Sequence, residues 1–191
     1  SFPKCSDGSP PSLYFVFPPL ARPRRDMLQS KRKREIVRRR ETTMLGKYDF
    51  FWTTMALCDW TQEGNDDAGP RPVIHFLSER DDSAIFAFDD LMSELLYQLD
   101  TKKLAEQCRE ADLLMSDDSF LYSRCVALIN GPAYYQRVKR GREKGVWRME
   151  FESLLYVPQK AWARKRHRSP QDYPHTPPFS YETGSNRSAW Q

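Results

Sequence analysis

The feature that most constrains the fold is a run of apolar residues at three- and four-residue steps in the middle of the chain. The run consists of Ile85, Phe88, Leu91, Met92, Leu95, Leu96 and Leu99. This spacing places the apolar side chains on one face of an α-helix, and Asp82 or Ser83 stands where the N-cap is expected. Such a face must be covered by other apolar elements, so the run predicts a helical domain with a shared core.

Apolar spacing of the same kind recurs on both sides of this helix. It predicts an aromatic-rich helix over residues 48–60, a short helical turn over 73–78, and helices over 101–108, 116–129 and 132–138. A further helix is predicted over 147–164, with a kink at Pro158. Together these elements predict an all-α fold, a compact orthogonal bundle of about six helices with extended N- and C-terminal arms.

Proline marks the segments that lie outside this bundle. Of the 14 prolines, six precede residue 24 and four follow residue 169. Proline-rich segments are extended and do not build a core. We therefore predict an extended Pro-rich arm at 1–23, a basic helix at 24–46, the helical domain at 48–165 and an extended Pro/aromatic tail at 166–191.

Several short motifs follow one another within the predicted domain. They are Phe51-Trp52, Ile85-x-x-Phe88-Asp89-x-Leu91-Met92-x-x-Leu95, Leu104-Ala105-x-x-Cys108, Ser116-Asp117-Asp118-Ser119-Phe120-x-Tyr122-x-Arg124, Ala127-Leu128-Ile129, Gly131-x-x-x-Tyr135 and Phe151-Glu152-Ser153-Leu154-Leu155-Tyr156-Val157. In order and spacing they resemble a family known mainly from bacteria, the domain of unknown function 4240. The resemblance implies a compact helical domain. It implies no reaction and no catalytic residues, because the family has no established activity.

The sequence departs from the family pattern at one point. The glycine that tends to precede the Ser-Asp-Asp motif in the family is replaced by Leu114-Met115. If the family has a pocket near that turn, it is altered in this chain.

Metal, cofactor and redox sites have little support. The four cysteines, Cys5, Cys58, Cys108 and Cys125, form no CxxC motif, and the three histidines are isolated. We therefore expect no metal and no cofactor. Three of the cysteines lie among apolar residues, which predicts reduced core thiols and a non-oxidising compartment.

Two pairs were considered as catalytic groups. Asp117 and Asp118 offer a base and a cation ligand, but the first turn of a helix capped by Ser116 also favours acidic residues, and Arg124 is a candidate ion-pair partner for either. Cys125 and His75 offer a nucleophile and a base, but Cys125 falls on the apolar side of its helix. Nucleotide-binding and hydrolase motifs are absent from the sequence. We therefore expect no catalytic residues and no enzyme activity.

The strongest interaction feature is the basic stretch from Ala21 to Arg40. It holds ten basic and two acidic residues, a local net charge of +8 against +4 for the whole chain. Arginine suits phosphates and carboxylates, so an anionic partner is favoured over a merely solvated helix. The residues predicted to bind an RNA, an anionic lipid headgroup or an acidic protein surface are Arg24, Arg25, Lys31, Arg32, Arg34, Arg38, Arg39 and Arg40.

Aromatic residues in the two arms are the other interaction candidates. They are Tyr14, Phe15, Phe17, Tyr173, Phe179, Tyr181 and Trp190. In a complex such residues anchor a segment to its partner. The alternative is that they fold back onto their own domain.

These features predict a non-catalytic accessory subunit of a large, organellar complex that docks on several protein chains through its arms. The expected location is the mitochondrial matrix or the plastid stroma, as a peripheral subunit, with the cytoplasm as the alternative. No apolar run approaches the roughly 18 residues of a transmembrane span. The alternative function is a free-standing RNA- or polyanion-binding regulator that uses residues 22–40.

Overall fold

A computed structural model of the chain describes residues 48–61, 65–111 and 113–191. The predicted arm at 1–23 and basic helix at 24–46 lie outside the described residues. The described α-helices are α1 (Asp49–Met55), α2 (Arg71–Ser78), α3 (Asp82–Leu99), α4 (Lys102–Ala111), α5 (Asp117–Ile129), α6 (Gly131–Lys139) and α7 (Val157–Arg166). No strand occurs in these ranges. The predicted all-α fold is confirmed, with seven helices instead of about six.

Helix α3 lies at the centre of the domain. It contacts α1, α2, α5 and α7. Its buried apolar residues are Ile85, Phe88, Met92, Leu95, Leu96 and Leu99, each at most 1% exposed. Full burial of a side chain of this size stabilises the fold by roughly 2 kcal/mol. The apolar spacing of α3 therefore supplies six buried side chains to the core.

Helix α5 begins as its sequence predicts. The backbone N–H of Ser119 donates to Ser116 Oγ at 3.0 Å, so Ser116 is the N-cap. Asp117 and Asp118 occupy the first turn, are exposed, and face the positive end of the helix dipole. The helix ends at Ile129, and Gly131 supplies the positive φ of 82° with which the chain turns into α6.

Two predicted helices are shorter than expected. The aromatic helix stops at Met55, and the chain then turns so that Asp59 donates its backbone N–H to the Gly69 carbonyl at 3.0 Å. The stretch 147–164 is divided into two short 3₁₀ segments, Gly145–Arg148 and Glu152–Tyr156, followed by α7. Pro158 does not kink a helix, because it lies in the first turn of α7, where its missing N–H costs nothing.

The C-terminal segment returns across the domain. Helix α7 includes Arg166, and His167 ends it in the left-handed conformation with φ 52° and ψ 45°. The tail proper, residues 167–191, is irregular apart from 3₁₀ turns at Pro170–Asp172 and Arg187–Ala189. Tyr173, Tyr181 and Trp190 pack against the core of the domain. The tail is extended in its backbone but lies on its own domain.

None of the described helices is both long enough and apolar enough to cross a bilayer.

The cap of α5 gives a direct stability test. Replacing Ser116 by alanine removes the hydroxyl that accepts the Ser119 N–H, and the free energy of unfolding should fall by about 1 kcal/mol. Ser116→Gly should cost only about a few tenths of a kcal/mol, because glycine at the N-cap lets water reach the exposed N–H. Urea denaturation of both variants beside the wild type measures this. An unchanged free energy of unfolding in Ser116→Ala would show that the hydroxyl does not act as a cap.

Candidate functional site

The most unusual side chain of the domain is the buried arginine of α5. Arg124 is 0% exposed. Its guanidinium donates to the Leu96 carbonyl at 3.1 Å, to the Tyr181 carbonyl at 2.8 Å and to Thr183 Oγ1 at 3.2 Å. It also lies 4.8 Å from the ring centroid of Phe120. Two of these three hydrogen-bond acceptors belong to the tail, so α5 holds the tail by a charged donor.

Asp100 is the acidic counterpart of Arg124. It follows α3 directly and is also 0% exposed. One carboxylate oxygen accepts the Gly184 N–H at 3.0 Å and the Trp190 indole N–H at 2.9 Å. The other oxygen accepts the Asn186 N–H at 2.9 Å and the Ser185 hydroxyl at 3.2 Å. All four donors come from the tail, and they replace the water that a buried carboxylate loses.

The electrostatics of this pair are complementary. Burial lowers the pKa of the Arg124 guanidinium, and the negative charge of Asp100 opposes that shift. The two residues make no direct hydrogen bond, but both bind the backbone of the tail.

A second set of contacts fixes the start of the tail on α3. Tyr173 donates its hydroxyl to Asp89 Oδ2 at 3.2 Å, and His175 Nε2 lies 2.7 Å from Asp90 Oδ1. The His175 ring is stacked on Phe86 with a centroid distance of 4.5 Å. The tail is thus attached to the middle of α3 and to Asp100, which directly follows its C-terminal end. We call the surface that carries Asp89, Asp100 and Arg124 the α3–α5 face.

The four tail aromatics contact their own domain. Tyr173 packs against Trp162 at 6.1 Å, Phe179 against Tyr97 at 5.1 Å, and Trp190 against Phe120 at 6.5 Å, all between ring centroids. Tyr181 packs on the core while its carbonyl binds Arg124. Of the two possibilities that the sequence left open for Tyr173, Phe179, Tyr181 and Trp190, the structure has the one in which they fold back.

A second feature is an open groove on another side of the domain, which we call the Trp60 groove. It has a volume of about 550 Å³. Its described lining residues are Asp59, Trp60, Asn65, Asp66, Gly69, Val126, Ile129, Asn130, Met149, Glu150 and Phe151. Trp60 is 50% exposed, and its ring meets Phe151 edge-on at 5.8 Å. Met149 is 44% exposed. Large apolar side chains therefore face solvent beside a concave surface.

The charged residues of the Trp60 groove are all acidic among those described. Asp59, Asp66 and Glu150 contribute carboxylates, and none of the described lining residues is basic. The Thr61 hydroxyl and N–H donate to Asp59 at 2.6 and 3.0 Å, and these hydrogen bonds lower the pKa of that carboxyl. Asp59 is therefore ionised at neutral pH. The arrangement suits a cationic group that carries an apolar stem.

The two catalytic pairs considered from sequence are not assembled as active sites. Cys125 is fully buried, and burial raises the pKa of its thiol to about 12, which disfavours the reactive thiolate. His75 is exposed on α2, where its Nδ1 lies 3.3 Å from Arg164 and 3.8 Å from Glu79. Within the described ranges, no three histidine, cysteine or acidic residues cluster as metal ligands would.

The basic residues of the stretch 22–40 and the aromatic residues of the N-terminal arm were predicted to bind partners. Arg24, Arg25, Lys31, Arg32, Arg34, Arg38, Arg39 and Arg40 lie outside the described residues, as do Tyr14, Phe15 and Phe17. Their roles stay predictions. A shorter basic run, Arg164-Lys165-Arg166-His167-Arg168, lies within the described residues at the end of α7, and there Arg166 pairs with Asp82 at 2.6 Å.

Sequence reasoning missed the importance of three charged residues. Arg124 was considered as a partner of Asp117 or Asp118, but it turns inward and binds the tail instead. Asp89 and Asp100 were not among the predicted site residues. One signal was present, because Phe120, Arg124 and Leu128 follow one another at four-residue steps on a single face of α5. An arginine between two core residues indicates a buried charge that needs partners.

The described residues define an all-α domain that is covered on one face by its own C-terminal segment. A family model described as a protein of unknown function (DUF4240) matches residues 47–164, and the chain belongs to this family. Comparison with curated proteins and with solved structures gives no match. The family match includes Asp89, Asp100 and Arg124 but ends before the tail that these residues bind.

The contact between Asp89 and Tyr173 gives a pH-dependent prediction. Burial raises the pKa of Asp89 from 3.8 to about 6, against the opposing effects of the Tyr173 hydroxyl and of His175. The folded protein therefore holds this proton more tightly than the unfolded chain. The resulting stabilisation is complete below about pH 4 and is lost as the pH rises through 6.

Asp89→Asn keeps an acceptor for Tyr173 and removes the buried charge. We expect the variant to be more stable than the wild type at pH 7, with the difference closing towards pH 4. Urea denaturation at four pH values between 4 and 7 measures it. The matched control is Asp118→Asn, which removes an exposed charge that the dipole of α5 favours and should lower stability at pH 7. A constant difference for Asp89→Asn across the pH range would contradict the assignment.

Proposed function

We propose that the chain is a non-catalytic docking subunit of a larger protein assembly, and that the Trp60 groove binds a segment of a neighbouring protein. The observation that carries the proposal is the half-exposed Trp60 beside an apolar floor with an acidic rim. Tryptophan is among the residues that contribute most to binding energy at protein interfaces. Exposure of a large aromatic side chain next to a concavity is typical of such a surface.

The chemistry of the groove indicates what the neighbouring segment carries. The floor, formed by Val126, Ile129 and Phe151, suits the alkyl stem of a lysine or arginine or a neighbouring apolar residue. The carboxylates of Asp59, Asp66 and Glu150 suit its positive head group. The partner segment we propose is therefore a basic one with at least one apolar side chain.

Other features support a non-catalytic role. Asp117 and Asp118 are in the first turn of α5, where they complement its dipole, and the Cys125 thiol is buried in the core. The α3–α5 face is filled by the tail. The polar groups of the Trp60 groove are carboxylates and amides. Such groups bind cations and peptides, and this binding involves no chemical reaction.

The larger assembly and its location are expectations from the sequence, and they belong to the same proposal. The mitochondrial matrix or the plastid stroma is the expected compartment, with the cytoplasm as the alternative. The thiols of Cys58 and Cys125 are unpaired, which suits a reducing compartment of either kind. The arms and the basic stretch 22–40 would add contacts to further protein chains, RNA or anionic lipid headgroups.

The first test is native purification of the tagged full chain from its source, combined with site-specific cross-linking. A photoreactive amino acid replaces Trp60 in one variant and Leu113 in a control variant. Leu113 is 91% exposed and lies outside the groove. We expect a stoichiometric particle far larger than 22.5 kDa, and a cross-link from position 60 to a basic segment of one of its proteins.

Binding-deficient variants complete this experiment. Trp60→Ser combined with Met149→Ser should weaken assembly at least about tenfold, because interface aromatics carry about 2 kcal/mol or more each. The matched change Leu113→Ser should leave assembly unchanged. A chain that purifies alone at 22.5 kDa would overturn the proposal. Release of a bound RNA that depends steeply on salt would support the polyanion-binding alternative.

A further inference from the structure

The α3–α5 face has the composition of a recognition site. It presents three buried ionisable side chains, Asp89, Asp100 and Arg124, on residues that all lie within the family match. Every hydrogen bond that the described residues give the Asp100 carboxylate comes from the tail, as do two of the three that Arg124 donates. Buried charges of this kind are costly when they lack partners. The domain therefore carries polar groups that only a bound chain segment satisfies.

Arg124 and Asp100 bind the peptide backbone of the tail as well as its side chains. Arg124 donates to the Tyr181 carbonyl, and Asp100 accepts the backbone N–H groups of Gly184 and Asn186. In the opposite direction, the Asn186 amide donates to the Tyr97 carbonyl at 3.1 Å. Main-chain hydrogen bonds combined with pockets for spaced side chains are the usual basis of peptide recognition.

Side chains of the tail add specificity. Phe179 meets Tyr97, and the Trp190 ring packs near Phe120 while its N–H donates to Asp100. Between them, Gly184 has a φ of 83°, a conformation that favours glycine. The recognised pattern is an aromatic residue, a glycine turn about five residues later and a tryptophan six residues after the glycine.

The junction between domain and tail, at His167, has the features of a hinge. His167 has a left-handed backbone, which is unfavourable for a residue other than glycine, and the residues from 166 to 172 are exposed. A change of backbone conformation at His167 relieves that strain and moves the tail as a unit. Exchange of such a segment between copies of one chain is a low-cost route to association.

We propose that the α3–α5 face is a peptide-binding site filled in cis by residues 173–190, and that the same segment of a second copy of this chain can fill it in trans. The tail is then a tethered ligand of the domain. Tethering favours the cis form, because the local concentration of a linked segment is high. Exchange is expected when copies are concentrated, as in an assembly. This inference does not depend on the Trp60 groove. The described lining residues of that groove do not include Asp89, Asp100 or Arg124.

The direct test nicks the hinge of the full-length chain. A specific protease site is inserted after Arg168, the folded protein is cut, and a fluorescent synthetic peptide of residues 169–191 is added. We expect the cut tail to co-elute at first and the labelled peptide then to exchange into its place. A peptide with Trp190→Ala should bind at least about tenfold more weakly, since it loses a partly buried ring and a hydrogen bond to a carboxylate. The Gln191→Ala peptide, changed at the exposed neighbouring position, should bind like the unmodified one.

A second test uses uncut chains and complementation. One variant carries a damaged ligand (Trp190→Ala), and another carries a damaged site (Asp100→Asn). Mixed together, they should form a heterodimer in which the intact tail of the second fills the intact site of the first. Neither variant should form such a dimer on its own. The Trp190→Ala variant measured without its partner is the control.

The outcomes of these tests are distinct. Exchange of the labelled peptide, or heterodimer formation in the mixture, supports the proposal. A cut tail that never exchanges at any peptide concentration would overturn it, because the tail would then be an ordinary part of the core. Loss of the tail followed by unfolding that added peptide does not reverse would overturn it equally. Either failure leaves the Trp60 groove experiment interpretable, because that readout is a cross-link at a separate surface.

Discussion

The interaction on which the rest of the structure depends is the joint hold of Arg124 and Asp100 on the tail. Two opposite charges are buried without a direct hydrogen bond, and the backbone between them supplies the acceptors and donors they need. Removing one member of a buried pair typically costs about 3–5 kcal/mol, much of the stability of a small domain. The helices and the tail therefore stabilise one another: α3 and α5 place the charges, and the tail makes their burial possible.

The domain separates two kinds of surface. The α3–α5 face is closed and carries its charges inside, with a ligand already present. The Trp60 groove is open, and its aromatic residue faces solvent beside ionised carboxylates. The α3–α5 face holds the tail on the domain, and the Trp60 groove is the surface that we propose for contact with another protein. The proposed function is placed on the Trp60 groove because exposed apolar area adds nothing to the stability of the folded chain until something covers it.

Features that depend on residues close together in the sequence could be predicted, and features that depend on distant residues could not. The burial of α3 and the cap of α5 depend on residues within one or two turns, so spacing alone identified them. The early end of α1 depends on a backbone hydrogen bond from Asp59 to Gly69, which local propensity does not encode. The roles of Arg124 and Asp100 depend on partners 57 to 90 residues away. Aromatic residues and prolines in the tail suit docking on any apolar surface, so the sequence could not decide which surface they choose.

The long separation between Asp100 and Trp190 also affects synthesis of the chain. Helices α3 and α5 emerge from the ribosome well before the tail, since domains fold as the chain is made, in order from the N-terminus. During that interval Asp100 and Arg124 lack the tail groups that bind them in the finished protein. The part of the core that lies under the tail is therefore completed last. A nascent chain stalled in α7 would present an open acidic and basic cleft that the tail fills in the finished protein.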